Sequence, residues 1–199
     1  MPESITDDLD VIRRVREGDR NAYAALVRKY QMRVRGYCVN TLRDAALAED
    51  AAQEIFLKAY QGLPAFRAAS SFSTWLYRIT ANHCRDLQRK AARRPTESLD
   101  ALLEQEGERA EALLATPAED RISGERVELV RRALSHLSET SRAVLILREM
   151  QGLSYDELAE ALGCSLDAVK GRLKRARQEL ERRLRHVLQP GGVQTGRET

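Results

Sequence analysis

A chain of 199 residues, 32% charged and only 5% aromatic, fits two compact helical units and a linker better than one large core. Its formal charge of +3 conceals three blocks. Residues 67–94 hold seven basic side chains against one acidic, residues 96–120 one against eight, and residues 165–189 eight against three. That pattern suggests two polyanion-binding surfaces separated by an acidic connector. The longest apolar run, Ala22–Val27, is far short of a membrane span, and the acidic start MPESITDDLD has no secretion-signal character, so no membrane insertion is expected. Cys38, Cys84 and Cys164 show no metal-ligand spacing; the expectation is buried structural thiols in a cytoplasmic protein, with no metal and no cofactor.

In chain order, Leu9, Ile12 and Val15 predict a short helix ending near Gly18, and Asp19 opens a second with Tyr23, Leu26, Val27, Tyr30, Val34 and Tyr37 in its stripe. A third helix is predicted over Asp44–Gln61, with Ala45, Ala48, Ala52, Ile55, Phe56 and Ala59 on a packed face. The opposite face holds Leu47, Asp50, Gln53, Glu54, Leu57 and Lys58, and leucines set among carboxylates on an outward face suggest docking of another protein. Gly62-Leu63-Pro64 ends this helix.

Ser71 or Ser73 can cap a long fourth helix, since neither Gly nor Pro occurs from Phe72 to Arg94. Phe72, Trp75, Leu76, Ile79 and Leu87 share one sector, the expected core stripe. Arg78, Asn82, Arg85 and Arg89 recur along its flank, beside Trp75. A basic stripe edged by aromatics suits a single-stranded nucleic acid, with cations for phosphates and flat faces for unstacked bases. Pro95 opens an acidic connector, placed at 95–122, with a marginal helix around Leu99–Leu114.

From Ser123 the pattern is helical again: Val127, Leu129, Val130, Ala133, Leu134 and Leu137 form one stripe, and Ser138 or Ser141 caps a helix over Arg142–Met150. Ser154 with Glu157 makes a capping box, Gly163-Cys164 a short turn, and Ser165 caps the basic helix that follows. This is a helix-turn-helix. In its second helix Val169, Leu173, Ala176, Leu180 and Leu184 are expected to face inward, with Gly171, Lys174, Arg175 and Gln178 outward and Lys170 and Arg172 flanking them. A small residue beside long cations lets a helix enter a major groove.

The wording FxxxSSFSTWLYRITAN, with GDRNAYAALVRKY and AEDAAQEIFLKAY before it and SYDELAEALGCSLDAVKGRLKRARQELERRL after it, resembles the extracytoplasmic-function (ECF) subfamily of bacterial RNA polymerase sigma factors. The resemblance implies an all-α fold of two helical domains. Residues 1–94 would be sigma domain 2, 95–122 the linker, 123–189 sigma domain 4 and 190–199 a disordered tail. By that resemblance Leu47, Asp50, Gln53, Glu54 and Leu57 meet the clamp helices of the polymerase core. Phe66, Arg67, Trp75, Arg78, Asn82, Arg85 and Arg89 take the melted minus-ten element, Phe66 and Asn82 matching the pocket for a flipped base. Lys170, Gly171, Arg172, Lys174, Arg175 and Gln178 face the minus-35 duplex. The resemblance also implies an anti-sigma factor as partner, no chemistry in the chain itself and no small-molecule substrate.

The alternative, a stand-alone helix-turn-helix regulator of the response-regulator type, would need an N-terminal receiver or ligand domain. Residues 1–94 show no alternation of strand and helix. An enzyme has no support: there is no Gly-rich phosphate loop and no Ser/His/Asp or Cys/His set, and His83 and Cys84 point about 100° apart on one helix.

Overall fold

The computed structural model describes residues 5–93, 129–130 and 132–188, and every regular element among them is helical. The acidic connector, its expected helix and the C-terminal tail lie outside the described residues. Helix α1 is Ile5–Arg16, α2 is Tyr23–Leu42, α3 is Ala45–Gly62 and α4 is Phe72–Arg93. After helical residues 132–135 come α5, Glu139–Leu145, which continues as a π-helical turn over Ile146–Met150, then α6, Tyr155–Leu162, and α7, Leu166–Leu188.

The boundaries follow from local chemistry. Asp19 opens a short 3-10 turn, Arg20–Ala22, ahead of α2 by accepting from the Ala22 amide, and Asp44 caps α3 by accepting from the Leu47 amide at 2.9 Å. Ser71 starts α4, its hydroxyl accepting from the Thr74 amide at 3.1 Å. At α6 the capping box is complete: the Glu157 amide donates to the Ser154 hydroxyl at 3.2 Å and the Ser154 amide to the Glu157 carboxylate at 2.8 Å. Gly163 ends α6 at φ +61, left-handed backbone that other residues rarely adopt. Helix α5 starts three residues earlier than the spacing predicts, because Ser138 and not Ser141 is the cap.

The two helical units do not stand apart. One apolar cluster runs from Ile12 of α1 to Ala176 of α7, and α4 lies between α2 and α3 on one side and α6 on the other. This explains why more of α4 is buried than a single stripe predicts: Thr74, Tyr77, Thr80, Ala81, His83 and Cys84 join Phe72 and Leu76. Polar contacts cross the junction. The Tyr77 hydroxyl donates to Gln151 at 2.8 Å, and Thr74 to the Glu157 carboxylate at 3.1 Å. Burial pushes that carboxyl up, but the hydrogen bonds from Ser154 and Thr74 outweigh it and hold Glu157 below its ordinary value.

Arg142 is the main tie. It is 3% exposed, and its guanidinium donates to the carbonyls of Leu134, Ser135 and Leu137 and, across the junction, to that of Thr41 at 3.1 Å. Burial, with Arg43 nearby, pulls it down to about 10, so it stays charged at neutral pH. A buried cation saturated with carbonyls suits a fixed contact more than a sliding one.

Several side chains depart from the expected faces. Ala45, the first residue of α3, is exposed, and Ala51 joins the buried face. Leu9 (39%) and Val130 (42%) are also exposed. Leu180 is only partly buried: past Ala176 the inward face of α7 outruns its support, so Leu180 and Leu184, with Leu145, line an open groove of about 560 Å³.

Candidate polymerase and nucleic-acid interfaces

Three surfaces carry the sequence-predicted site residues. On α3, burial of Ala48, Ala51, Ala52, Ile55, Phe56 and Ala59 turns the opposite face to solvent. Leu47 (36% exposed), Asp50, Gln53, Glu54 and Leu57 (56%) lie there together. A well-packed helix holds two bulky leucines in water, about 15 Å apart along its axis, with carboxylates between them. Behind this face, Lys58 Nζ meets His83 Nδ1 of α4 at 2.6 Å, and the other ring nitrogen of His83 is 3.4 Å from the Glu54 carboxylate. His83 is buried, and burial together with the Lys58 charge lowers its pKa, which favours the neutral ring.

The second surface is the loop from Phe66 to Ser71 with the solvent side of α4. Arg67, Arg78, Asn82 and Arg89 are exposed and Arg85 half-buried, its guanidinium donating to the Asn82 side-chain oxygen at 3.3 Å. This leaves the Asn82 amide nitrogen as a free-facing donor beside three cations. Trp75 is half-buried, with ring centroids 5.2 Å from Phe66 and 5.7 Å from Phe72. Its indole lies so close to Gly62 that a Cβ there would stand 3.0 Å away. Phe66 itself is 5% exposed, so its ring backs Trp75 and does not open to solvent. At this surface Trp75 is the half-exposed ring, and Phe66 packs behind it.

The third surface is α7. Val169, Leu173 and Ala176 are buried, which turns Lys170, Lys174, Arg175 and Gln178 outward, with Gly171 and Arg172 half-buried beside them. The Arg175 guanidinium lies over the bare backbone of Gly171: a Cβ there would be 3.5 Å from it. Lys170 pairs loosely with Asp167 at 3.7 Å, both exposed, while Arg177 is drawn away to Glu149 at 2.7 Å and serves the fold.

Some consequential residues had no signal in the sequence. Arg142 reads as one more exposed cation of an amphipathic helix, and Arg16 donates to the carbonyls of Leu63 and Phe66 from 47 and 50 residues away. Cys38 and Cys84, 46 residues apart, lie 3.7 Å apart as free, buried thiols, whereas Cys164, against expectation, is only partly buried, in the turn between α6 and α7. Among the described residues no group of His, Cys, Asp and Glu is placed to hold a metal.

Two family models match the chain: Sigma-70 region 2 over residues 26–94 and Sigma-70 region 4 over residues 128–180. An RNA polymerase sigma-H factor of Pseudomonas aeruginosa is 37% identical over 91% of this chain and 95% of its own length. The ECF RNA polymerase sigma-E factor of Escherichia coli K12 is 35% identical over 94% of this chain and 99% of its own length. The chain belongs to the ECF sigma factors. Among solved structures, CnrH in complex with the cytosolic domain of CnrY aligns with a TM-score of 0.67 at 26% identity, covering 90% of this chain and 98% of that one. The sigma factor RpoE of Bartonella quintana, solved with the anti-sigma factor NepR, shares the fold with a TM-score of 0.60 at 23% identity, over 81% and 97%. The region 2 match holds most of α2, α3 and α4, and the region 4 match holds α5, α6 and the first half of α7. No helix among the described residues is long and apolar enough to cross a membrane.

Proposed function

We propose that this sigma factor binds the RNA polymerase core through the outward face of α3, captures the melted minus-ten strand on the loop and basic face of α4, and holds the minus-35 duplex with α7. The observation that carries the reading is α4. It is buried on two sides, yet keeps Arg78, Asn82, Arg89 and the edge of Trp75 on its one free face. Cations and a flat ring on a rigid rod hold an unstacked strand without waiting for the protein to order itself. The outward face of α3 offers two exposed leucines, Leu47 and Leu57, with Asp50, Gln53 and Glu54 between them, a mix of apolar and polar contacts that suits docking, and its proposed partner is the clamp helices of the core.

On α7, Lys174, Arg175 and Gln178 approach base edges in the major groove, with Lys170 and Arg172 at phosphates and Gly171 giving close approach. The polymerase makes the phosphodiester bonds, and this chain contributes binding energy in the cytoplasm with no cofactor of its own. An anti-sigma factor that covers Leu47 and Leu57 would hold it inactive. Residues 1–94 and 123–189 are the two working domains, joined by the acidic linker 95–122 and followed by the tail 190–199.

The experiment is run-off transcription by bacterial core RNA polymerase on fragmented genomic DNA from the source organism, with and without this protein. Transcripts that require it and share upstream elements are expected. No new transcripts, with no complex between protein and core on gel filtration, would overturn the reading.

A further inference from the structure

We propose that Arg16 is a positioning residue for strand capture, setting the loop between α3 and α4 from the far end of α1. The inference rests on the reading of region 2 as the strand-capturing surface. The loop needs outside support: after the Phe66 amide donates to the Leu63 carbonyl at 3.2 Å, the chain runs extended and then places Ala68 at φ +52. A non-glycine residue in that conformation persists only where its surroundings over-determine it. Arg16 holds the turn that leads into it. Its Nε donates to the Leu63 carbonyl at 3.1 Å, and one Nη to the same carbonyl at 2.6 Å and to the carbonyl of Phe66. One planar cation thus joins both ends of the turn that aims Arg67 and the rest of the loop at α4.

The anchor for this grip is fixed in turn. Helix α1 is seated by Ile12, 2% exposed, and by Asp8, whose carboxylate accepts from Lys29 at 2.9 Å and from the Tyr30 hydroxyl at 2.5 Å. Tyr30 stacks on Phe72, the first residue of α4, with ring centroids 5.5 Å apart. The loop is therefore held from α1 at its start and from α2 at its end. Arg16 projects from the last turn of α1, just before the chain leaves at Gly18 with φ +106. Lysine could keep the charge there, but a single ammonium cannot hold two carbonyls with a fixed fork.

The test uses the full-length protein in complex with core polymerase and the non-template strand of a promoter that the wild-type complex transcribes. 2-Aminopurine is placed at each minus-ten position in turn. Wild type is expected to brighten one position as its base leaves the stack. Arg16→Ala and Arg16→Lys are both expected to lose that signal and to bind the strand about tenfold more weakly. Core affinity should stay at the wild-type value, and the thermal midpoint of the free protein should fall only slightly, since the Arg16 side chain is exposed.

Retention of the wild-type signal in both variants overturns the inference alone. Full rescue by lysine, or a parallel fall in core affinity and thermal midpoint, also overturns it, because charge or folding would then account for Arg16. If wild type brightens no position, the strand-capture reading fails and takes this inference with it.

Discussion

Helices α4 and α7 are both long, basic and rich in arginine, but they are packed in opposite ways. Helix α4 lies inside the molecule, with eight buried side chains from Phe72 to Cys84 and neighbours on two sides. Helix α7 lies at the edge: Val169, Leu173 and Ala176 seat its first half, and beyond them Leu180 and Leu184 look onto an open groove. The proposed role of α4, capture of a single strand, gains from a helix fixed before the strand arrives, since ordering at the moment of binding weakens it. The proposed role of α7, entry into a groove, needs clearance along its outer side, which an edge position gives.

The largest expected effect breaks the difference in packing. Arg142→Ala leaves the carbonyls of Leu134, Ser135, Leu137 and Thr41 without their donor, and unsatisfied buried carbonyls are costly. It should destabilise the protein by about 3 kcal/mol in urea unfolding and make the transition less cooperative as the two regions part. An unchanged midpoint would show that the junction does not depend on this residue. Next, Glu54→Arg with Leu57→Ala, both on exposed side chains, should weaken core binding roughly tenfold or more with no change in thermal midpoint. Equal core affinity would move the docking face off α3.

Lys174→Ala should cost less. It should weaken upstream duplex binding and reduce the slope of log affinity against log salt by about one; an unchanged slope would take Lys174 off the DNA. The smallest effect sharpens the link between α3 and α4. Burial lowers the His83 pKa, so the folded state favours the neutral ring and the unfolded chain binds the proton more readily. Stability should therefore fall as pH drops below His83's ordinary value of about 6.5 and go on falling until the lowered folded value is passed. His83→Gln should flatten that dependence; an identical pH profile would exclude His83 as its source.

The contrast also shows how much the sequence could reveal. Helix starts were legible because Asp44, Ser71, Ser154 and Ser165 act through amides three residues away. The outward faces of α3 and α7 were legible because each follows from its own helix period. The packing across the junction was not, since nothing in the spacing marks Thr74 as a partner of Glu157, 83 residues on, or Tyr77 as a partner of Gln151, 74 residues on. Phe66 shows the same limit: the motif marks it as a contact for a base, but only the rings of Phe72 and Trp75 show that it is enclosed by its own neighbours. The grips of Arg16 and Arg142 on distant carbonyls are likewise products of the fold, and their own neighbours in sequence say nothing of them.

The division of labour between the two basic helices is tested most directly by a crossed binding measurement. The complex with core polymerase is presented with a single-stranded minus-ten oligonucleotide and, separately, with an upstream duplex, for wild type, Asn82→Ala and the double variant Lys174→Ala with Arg175→Ala. The account predicts that Asn82→Ala weakens only the single strand and the α7 double variant only the duplex. If either variant weakened both probes equally, the two surfaces would not be separate readers and the account would be wrong.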